Sequence, residues 1–94
     1  MKCRYGGEEF LVLLPETPLD GAKRVADTLR RELTDMPIHW KDEMLTITAS
    51  FGVTVAMPIE IEPEAVIGRA DAALYRAKDQ GRNCVRVSIE SAVA

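Results

Sequence analysis

Two hydrophobic periods alternate along this chain, and each change of period marks an element. Phe10-Leu11-Val12-Leu13-Leu14 is an unbroken apolar run between Gly6-Gly7 and Pro15. It predicts a short strand buried on both faces. Arg4-Tyr5 then reads as the end of a preceding strand. Gly6-Gly7 with two acids behind it reads as the hairpin tip, because glycine supplies the positive φ such turns need. Thr17-Pro18-Leu19-Asp20 predicts a helix start, with Thr17 as cap, Pro18 at the first helical position and Asp20 closing an acidic capping box. Leu19, Ala22, Val25, Ala26, Leu29 and Leu33 follow at helical spacing as one apolar stripe. Arg24, Asp27, Arg30 and Arg31 fall mostly outside it and read as a solvated face, and Pro37 ends the segment.

Residues 38–43 are polar and irregular, with His39 read as a surface histidine and Trp40 as a partly buried loop anchor. Leu45, Ile47, Ala49, Phe51, Val53 and Val55 then alternate with Thr46, Thr48, Ser50, Gly52 and Thr54. Period two over that length predicts a long strand with one apolar face. Residues 57–62 form a loop, and Pro63 opens a second helix whose stripe is Val66, Ile67, Ala70, Ala73, Leu74 and Ala77. Gly81 supplies its stop. Residues 84–88 alternate again as a last strand, and residues 89–94 read as a disordered tail. The order is hairpin, helix, strand, helix, strand. Two amphipathic helices with one stripe each need a sheet to cover, so the class is α+β, most simply a two-layer α/β sandwich.

Composition narrows the function. The chain has 94 residues, enough for one small domain, and a net charge of -3 at pH 7. That charge argues against non-specific nucleic-acid binding, which needs a basic footprint. It leaves room for a phosphate site made by two or three cations. Cys3 and Cys84 stand at no metal-ligand spacing and read as free thiols in a reducing cytoplasm. No apolar run approaches the about 20 residues of a membrane span, nor a signal peptide. A cytoplasmic location is expected.

Two constellations carry chemistry. In Arg4-Tyr5-Gly6-Gly7-Glu8-Glu9-Phe10, two carboxylates provide hard oxygen ligands beside glycines that admit a nucleotide to the backbone. Taken alone, a solvated hairpin with surface acids is the simpler reading. In the stretch from Asp71 to Asn83, Lys78 falls in the last turn of the second helix and Arg82 follows its terminal glycine. Together they suit a triphosphate, Arg as a fork and Lys as a point charge. Taken alone, these are cations favoured at a helix C-terminus. Tyr75 reads as a packing or structural hydrogen-bonding residue.

Taken together, Arg4-Tyr5-Gly6-Gly7-Glu8-Glu9-Phe10 and the distant Ala73-Leu74-Tyr75-Arg76-Ala77-Lys78-x-x-Gly81-Arg82-Asn83 resemble the GGDEF family at both of its C-terminal signature regions. Ser50-Phe51-Gly52-Val53 is similar to the family's strand before its last helix. Glu8 stands where the family name has Asp. The resemblance implies a palm-like, nucleotidyl cyclase or ferredoxin-like sheet over residues 1–88. It also implies diguanylate cyclase chemistry, in which two GTP molecules condense to cyclic di-GMP as a bacterial second messenger. Gly6 and Gly7 would line the guanosine and its phosphates. Glu8 and Glu9 would be the catalytic, metal-holding acids for Mg²⁺ or Mn²⁺, and Lys78 and Arg82 would contact the β- and γ-phosphates. Each domain brings one GTP, so a homodimer is implied, with a sensory or receiver domain upstream in the parent protein.

The resemblance also implies absences. The family's first strand, with a further metal-binding Asp, the helices that read guanine, and the Arg-x-x-Asp product site would all lie before Met1. The sheet is therefore expected to lack its first strand and helices, leaving apolar faces uncovered, and the isolated chain to be inactive. Two rivals remain at this stage. One is a catalytically degenerate GGDEF domain serving GTP sensing or protein contacts. The other is a small α+β regulatory module holding an amino acid or metabolite between subunits. The whole reading depends on Glu8 and Glu9 sharing a cation-bridged cavity with Lys78 and Arg82.

Overall fold

A computed structural model describes residues 9–58 and 62–88 in full and residues 2–4 by their backbone. The element order is β1 (Lys2–Arg4), β2 (Phe10–Val12), α1 (Leu19–Asp35), β3 (Ile38–Trp40), β4 (Glu43–Leu45), β5 (Phe51–Val53), α2 (Pro63–Asp79) and β6 (Val85–Val87). Strands and helices form the mixed arrangement expected of the sequence, both helices lying on sheet. The expected tail, residues 89–94, and the hairpin tip at Gly6, Gly7 and Glu8 lie outside the described residues. Among the described residues no helix is long and apolar enough to cross a membrane.

The centre of the fold is the β5-α2-β6 unit. β5 and β6 run parallel, pairing Phe51 with Val85 and Val53 with Val87. The ladder is extended by Phe51 N–H donating to the Cys84 carbonyl and Ser88 N–H to that of Val53, each at 2.9 Å. Parallel neighbours need a crossover, and α2 supplies it. Pro63 stands at the start of α2, as expected. Its Ala73 and Ala77 are fully buried (0% exposed), so helix and strand meet across small side chains. Gly52 is what permits this. A Cβ there would lie 2.1 Å from the Ala70 carbonyl oxygen and 2.3 Å from the Leu74 nitrogen. Arg69 secures the same docking, its Nη2 donating to the Val55 carbonyl at 2.7 Å and its Nε to Thr54 Oγ1 at 3.2 Å. α1 also packs on β5 and β6, burying Ala26.

Several local expectations are corrected. Thr17 does not cap α1. Pro18 takes the cap position, and the Thr17 hydroxyl donates to the Pro15 carbonyl at 3.0 Å, so the capping box does not form. The strand at Phe10 is three residues long and is not buried on both faces: Phe10 is 66% exposed. It pairs antiparallel with β1. Val25, Leu29 and Leu33 of the α1 stripe are exposed as well. Exposed apolar side chains are thus present on both β2 and α1.

The long strand over 45–55 is broken. Its first residue belongs to β4 and its middle to β5, and residues 46–50 join no ladder. Alternation records two faces but not a neighbouring backbone. Residues 38–43 are not irregular. They enter a β3–β4 hairpin pairing Ile38 with Leu45 and Trp40 with Glu43. Lys41 (φ 49°) and Asp42 (φ 65°) make its two-residue turn, the positive-φ pair of a type I′ connection. Trp40 is not an anchor but 59% exposed, with the Lys41 ammonium 5.5 Å above its ring.

Gly52→Ala is expected to destabilise the chain by about 1–3 kcal/mol or more, because backbone atoms would have to move. Gly68→Ala, on open space in α2, is expected to stabilise by about 0.5–1 kcal/mol. Urea unfolding of both variants checks the pair, and an unchanged midpoint for Gly52→Ala would count against the close docking.

Candidate functional site

Two elements end at the candidate site. α2 runs to Asp79, and its termination follows from Gly81, at φ 111°. Arg82 N–H reaches back to the Ala77 carbonyl at 2.9 Å, the six-to-one bond of a Schellman stop. This stop leaves Lys78 in the final helical turn and turns the chain sharply at Arg82. From the other side, Glu9 immediately precedes β2. Lys78 Nζ stands 3.9 Å from Glu9 Oε2, with both side chains about one-third exposed. The carboxylate and ammonium, 69 positions apart in the chain, therefore meet. At that separation they form a Coulombic contact rather than a hydrogen bond.

Of the sequence-predicted site residues, Glu9 and Lys78 are brought together. Arg82 lies one turn beyond Lys78, exposed, and its side chain makes no hydrogen bond or ion pair among the described residues. Gly6, Gly7 and Glu8 lie outside the described residues. Tyr75 does not pack: it is 72% exposed, while its neighbour Arg76 donates to the Val87 carbonyl at 2.6 Å. Cys84 is a free, half-buried thiol whose Sγ lies 3.4 Å from the Ala77 carbonyl.

Residues that sequence reasoning passed over stand directly behind Arg82. Asn83 N–H donates to Ser50 Oγ at 3.1 Å, and Asn83 Oδ1 accepts from Arg30 Nη1 at 3.3 Å. Arg30 is not a solvated cation. It is half-buried and also bonds Asp27 Oδ1 through Nε at 3.0 Å. Its position on the polar side of the α1 stripe gave no sign of this, because the partner lies 53 positions away.

The donor set bears on a metal only in part. Among the described residues no three His, Cys, Asp or Glu side chains cluster as a ligand set. Glu9 contributes one hard oxygen donor beside a cation. Mg²⁺ takes one or two carboxylates and completes its shell with water and substrate phosphate, so this donor chemistry fits. A shallow depression between α1 and β6 and an apolar groove along α1 include neither Glu9 nor Lys78 nor Arg82.

Comparison with known proteins gives a consistent picture. A family model described as "Diguanylate cyclase, GGDEF domain" matches residues 1–84. The response regulator PleD of Caulobacter vibrioides is 43% identical over 88 residues, covering 90% of this chain and 19% of PleD. The diguanylate cyclase DgcP of Pseudomonas aeruginosa is 47% identical over 86 residues, covering 92% of this chain and 13% of DgcP. The chain thus spans less than a fifth of the length of these relatives. A solved structure described as the active GGEEF domain of a diguanylate cyclase from Vibrio cholerae superposes with a TM-score of 0.82 at 29% identity. The match covers 96% of this chain and 56% of that one.

Because the Glu9–Lys78 pair is partly exposed, Glu9→Gln is expected to change folding stability by less than about 1 kcal/mol. Chemical denaturation measures it. A loss of several kcal/mol would mean the pair is structural.

Proposed function

This chain belongs to the GGDEF diguanylate cyclase family, and from that premise we propose that it is a nucleotide-binding part of a domain that condenses two GTP into cyclic di-GMP. The observation that supports this most is the meeting of Glu9 with Lys78. It joins the residue just ahead of β2 to the last turn of the helix, one turn before Arg82. A triphosphate seated there has an acid on one side and cations on the other.

In this reading Gly6 and Gly7 line the guanosine and its phosphates, where a Cβ would obstruct them. Lys78 and Arg82 hold the β- and γ-phosphates, Lys78 as a point charge and Arg82 as a bidentate fork. Their charge steadies the pyrophosphate as it departs. Glu8 and Glu9 hold Mg²⁺ or Mn²⁺, which supplies charge neutralisation at phosphorus. One of the two acids receives the proton of the attacking 3′-hydroxyl. That oxygen attacks the α-phosphorus of the second GTP, pyrophosphate leaves, and the exchange is repeated in the opposite sense. The string Gly6-Gly7-Glu8-Glu9-Phe10 is the one named in the description of the Vibrio cholerae domain, which supports Glu8 as a working replacement for Asp.

Each chain presents one nucleotide, so condensation requires two chains face to face. The exposed apolar side chains of β2 and α1 favour self-association. The likeness to a response regulator supports a receiver or sensory domain elsewhere in the parent protein. This chain spans 56% of the solved GGEEF domain, and alone it is proposed to bind GTP with little condensation.

Calorimetry with GTP and Mg²⁺ is expected to show binding that Lys78→Ala and Arg82→Ala each weaken by roughly tenfold to a hundredfold, the worth of a hydrogen bond to a charged group. Unaltered affinity in both variants would refute the phosphate assignment, and abundant cyclic di-GMP from the isolated chain would refute its inactivity. Light scattering is expected to give a mass above one chain.

A further inference from the structure

We propose that Arg30, Ser50 and Asn83 form a clamp that positions Arg82 for the phosphates of the nucleotide; the clamp rests on the reading of Arg82 given above. The starting point is backbone conformation. Gly81, Arg82 and Asn83 take positive φ in succession, at 111°, 61° and 46°. Glycine does this freely, but Arg82 and Asn83 carry a Cβ that disfavours the left-handed region, asparagine less than most. Such backbone persists where its surroundings over-determine it, and it concentrates at functional positions.

Three contacts from three parts of the chain supply that determination. The Arg82 N–H is held by the Ala77 carbonyl of α2 at 2.9 Å. Ser50, just ahead of β5, receives the Asn83 N–H at 3.1 Å. Arg30 of α1 donates to Asn83 Oδ1 at 3.3 Å, and its guanidinium is aimed by Asp27. Asn83 thus commits both its backbone donor and its side-chain acceptor to the turn. The Arg82 side chain is left uncommitted among the described residues. This division suits a positioning device: the backbone that launches Arg82 is fixed, and its guanidinium is free to take a ligand. A forked, bidentate contact depends on direction more than a point charge does. Lys78 needs no such support, because helical hydrogen bonds already fix its backbone.

This difference gives the test. Binding of GTP with Mg²⁺ to the intact chain is measured by calorimetry for Arg30→Met and Ser50→Ala, singly and combined with Arg82→Ala or Lys78→Ala. Circular dichroism checks folding, and Ser50→Ala, which removes one hydroxyl, stands in where Arg30→Met does not fold. Each clamp variant is expected to weaken binding about two- to tenfold, the worth of one hydrogen bond. It is expected to add nothing in the Arg82→Ala background and to remain additive with Lys78→Ala. Amide exchange without nucleotide is expected to quicken at Asn83 in Ser50→Ala. Equal weakening with and without Arg82, unchanged affinity, or an Asn83 amide unprotected in the wild type would each overturn the clamp alone. A wild-type chain that binds no nucleotide would remove the phosphate role of Arg82, and the clamp with it.

Discussion

The approach of the β5 backbone to the α2 backbone at Gly52 is the constraint on which the other features depend. Nothing larger than hydrogen fits between the strand and the Ala70–Leu74 turn of the helix. With Ala73 and Ala77 beside it, the contact is made by backbone and methyl groups rather than by large interlocking side chains. Its strength comes from close packing more than from apolar area, which is small here. The axial position of α2 follows from it, with Arg69 holding the strand end of the same interface. Where the end of α2 lies relative to the sheet is consequently set by β5, and Gly81 sets the residue at which the helix stops.

The candidate site is assembled from ends rather than from the interior. Glu9 precedes a strand, Lys78 closes a helix, and Arg82 begins the chain's exit from it. The last carbonyls of a helix carry partial negative charge, which repels a phosphate. Arg76 and Lys78 in the last turn of α2, and Arg82 just after it, bring cations to that end. In the proposed reading an anion therefore meets side-chain cations in place of the backbone amides of a helix N-terminus. Such a site depends on side-chain placement, and this gives the backbone geometry around Arg82 its importance.

Much of this was legible in the chain itself. Both helices, the proline that opens the second and the glycine that closes it follow from period and punctuation. The expected strands before and after Gly6-Gly7 pair antiparallel as β1 and β2. The β3–β4 hairpin was not legible because Lys41-Asp42 takes a turn conformation for which Asn-Gly or Asp-Gly is the usual signal. The strand around Ile47 was overextended because alternation cannot reveal whether a second backbone runs alongside. Thr17 failed as a cap because one residue of offset placed Pro18 at the helix boundary. Residue identity alone suggested Glu9 and Lys78, and only the family likeness joined them. Arg30 shows the limit: a cation facing away from an apolar stripe looks solvated until its distant acceptor is known.

The β3–β4 hairpin packs on no other described element. Its tip at Lys41-Asp42 is therefore mechanically uncoupled from the unit that carries Lys78 and Arg82. Such an appendage is a natural attachment point: a fluorophore or affinity tag grafted there would leave the nucleotide-facing surface unaltered. By the same logic, related chains are free to lengthen, shorten or replace this arm without disturbing the machinery beside it.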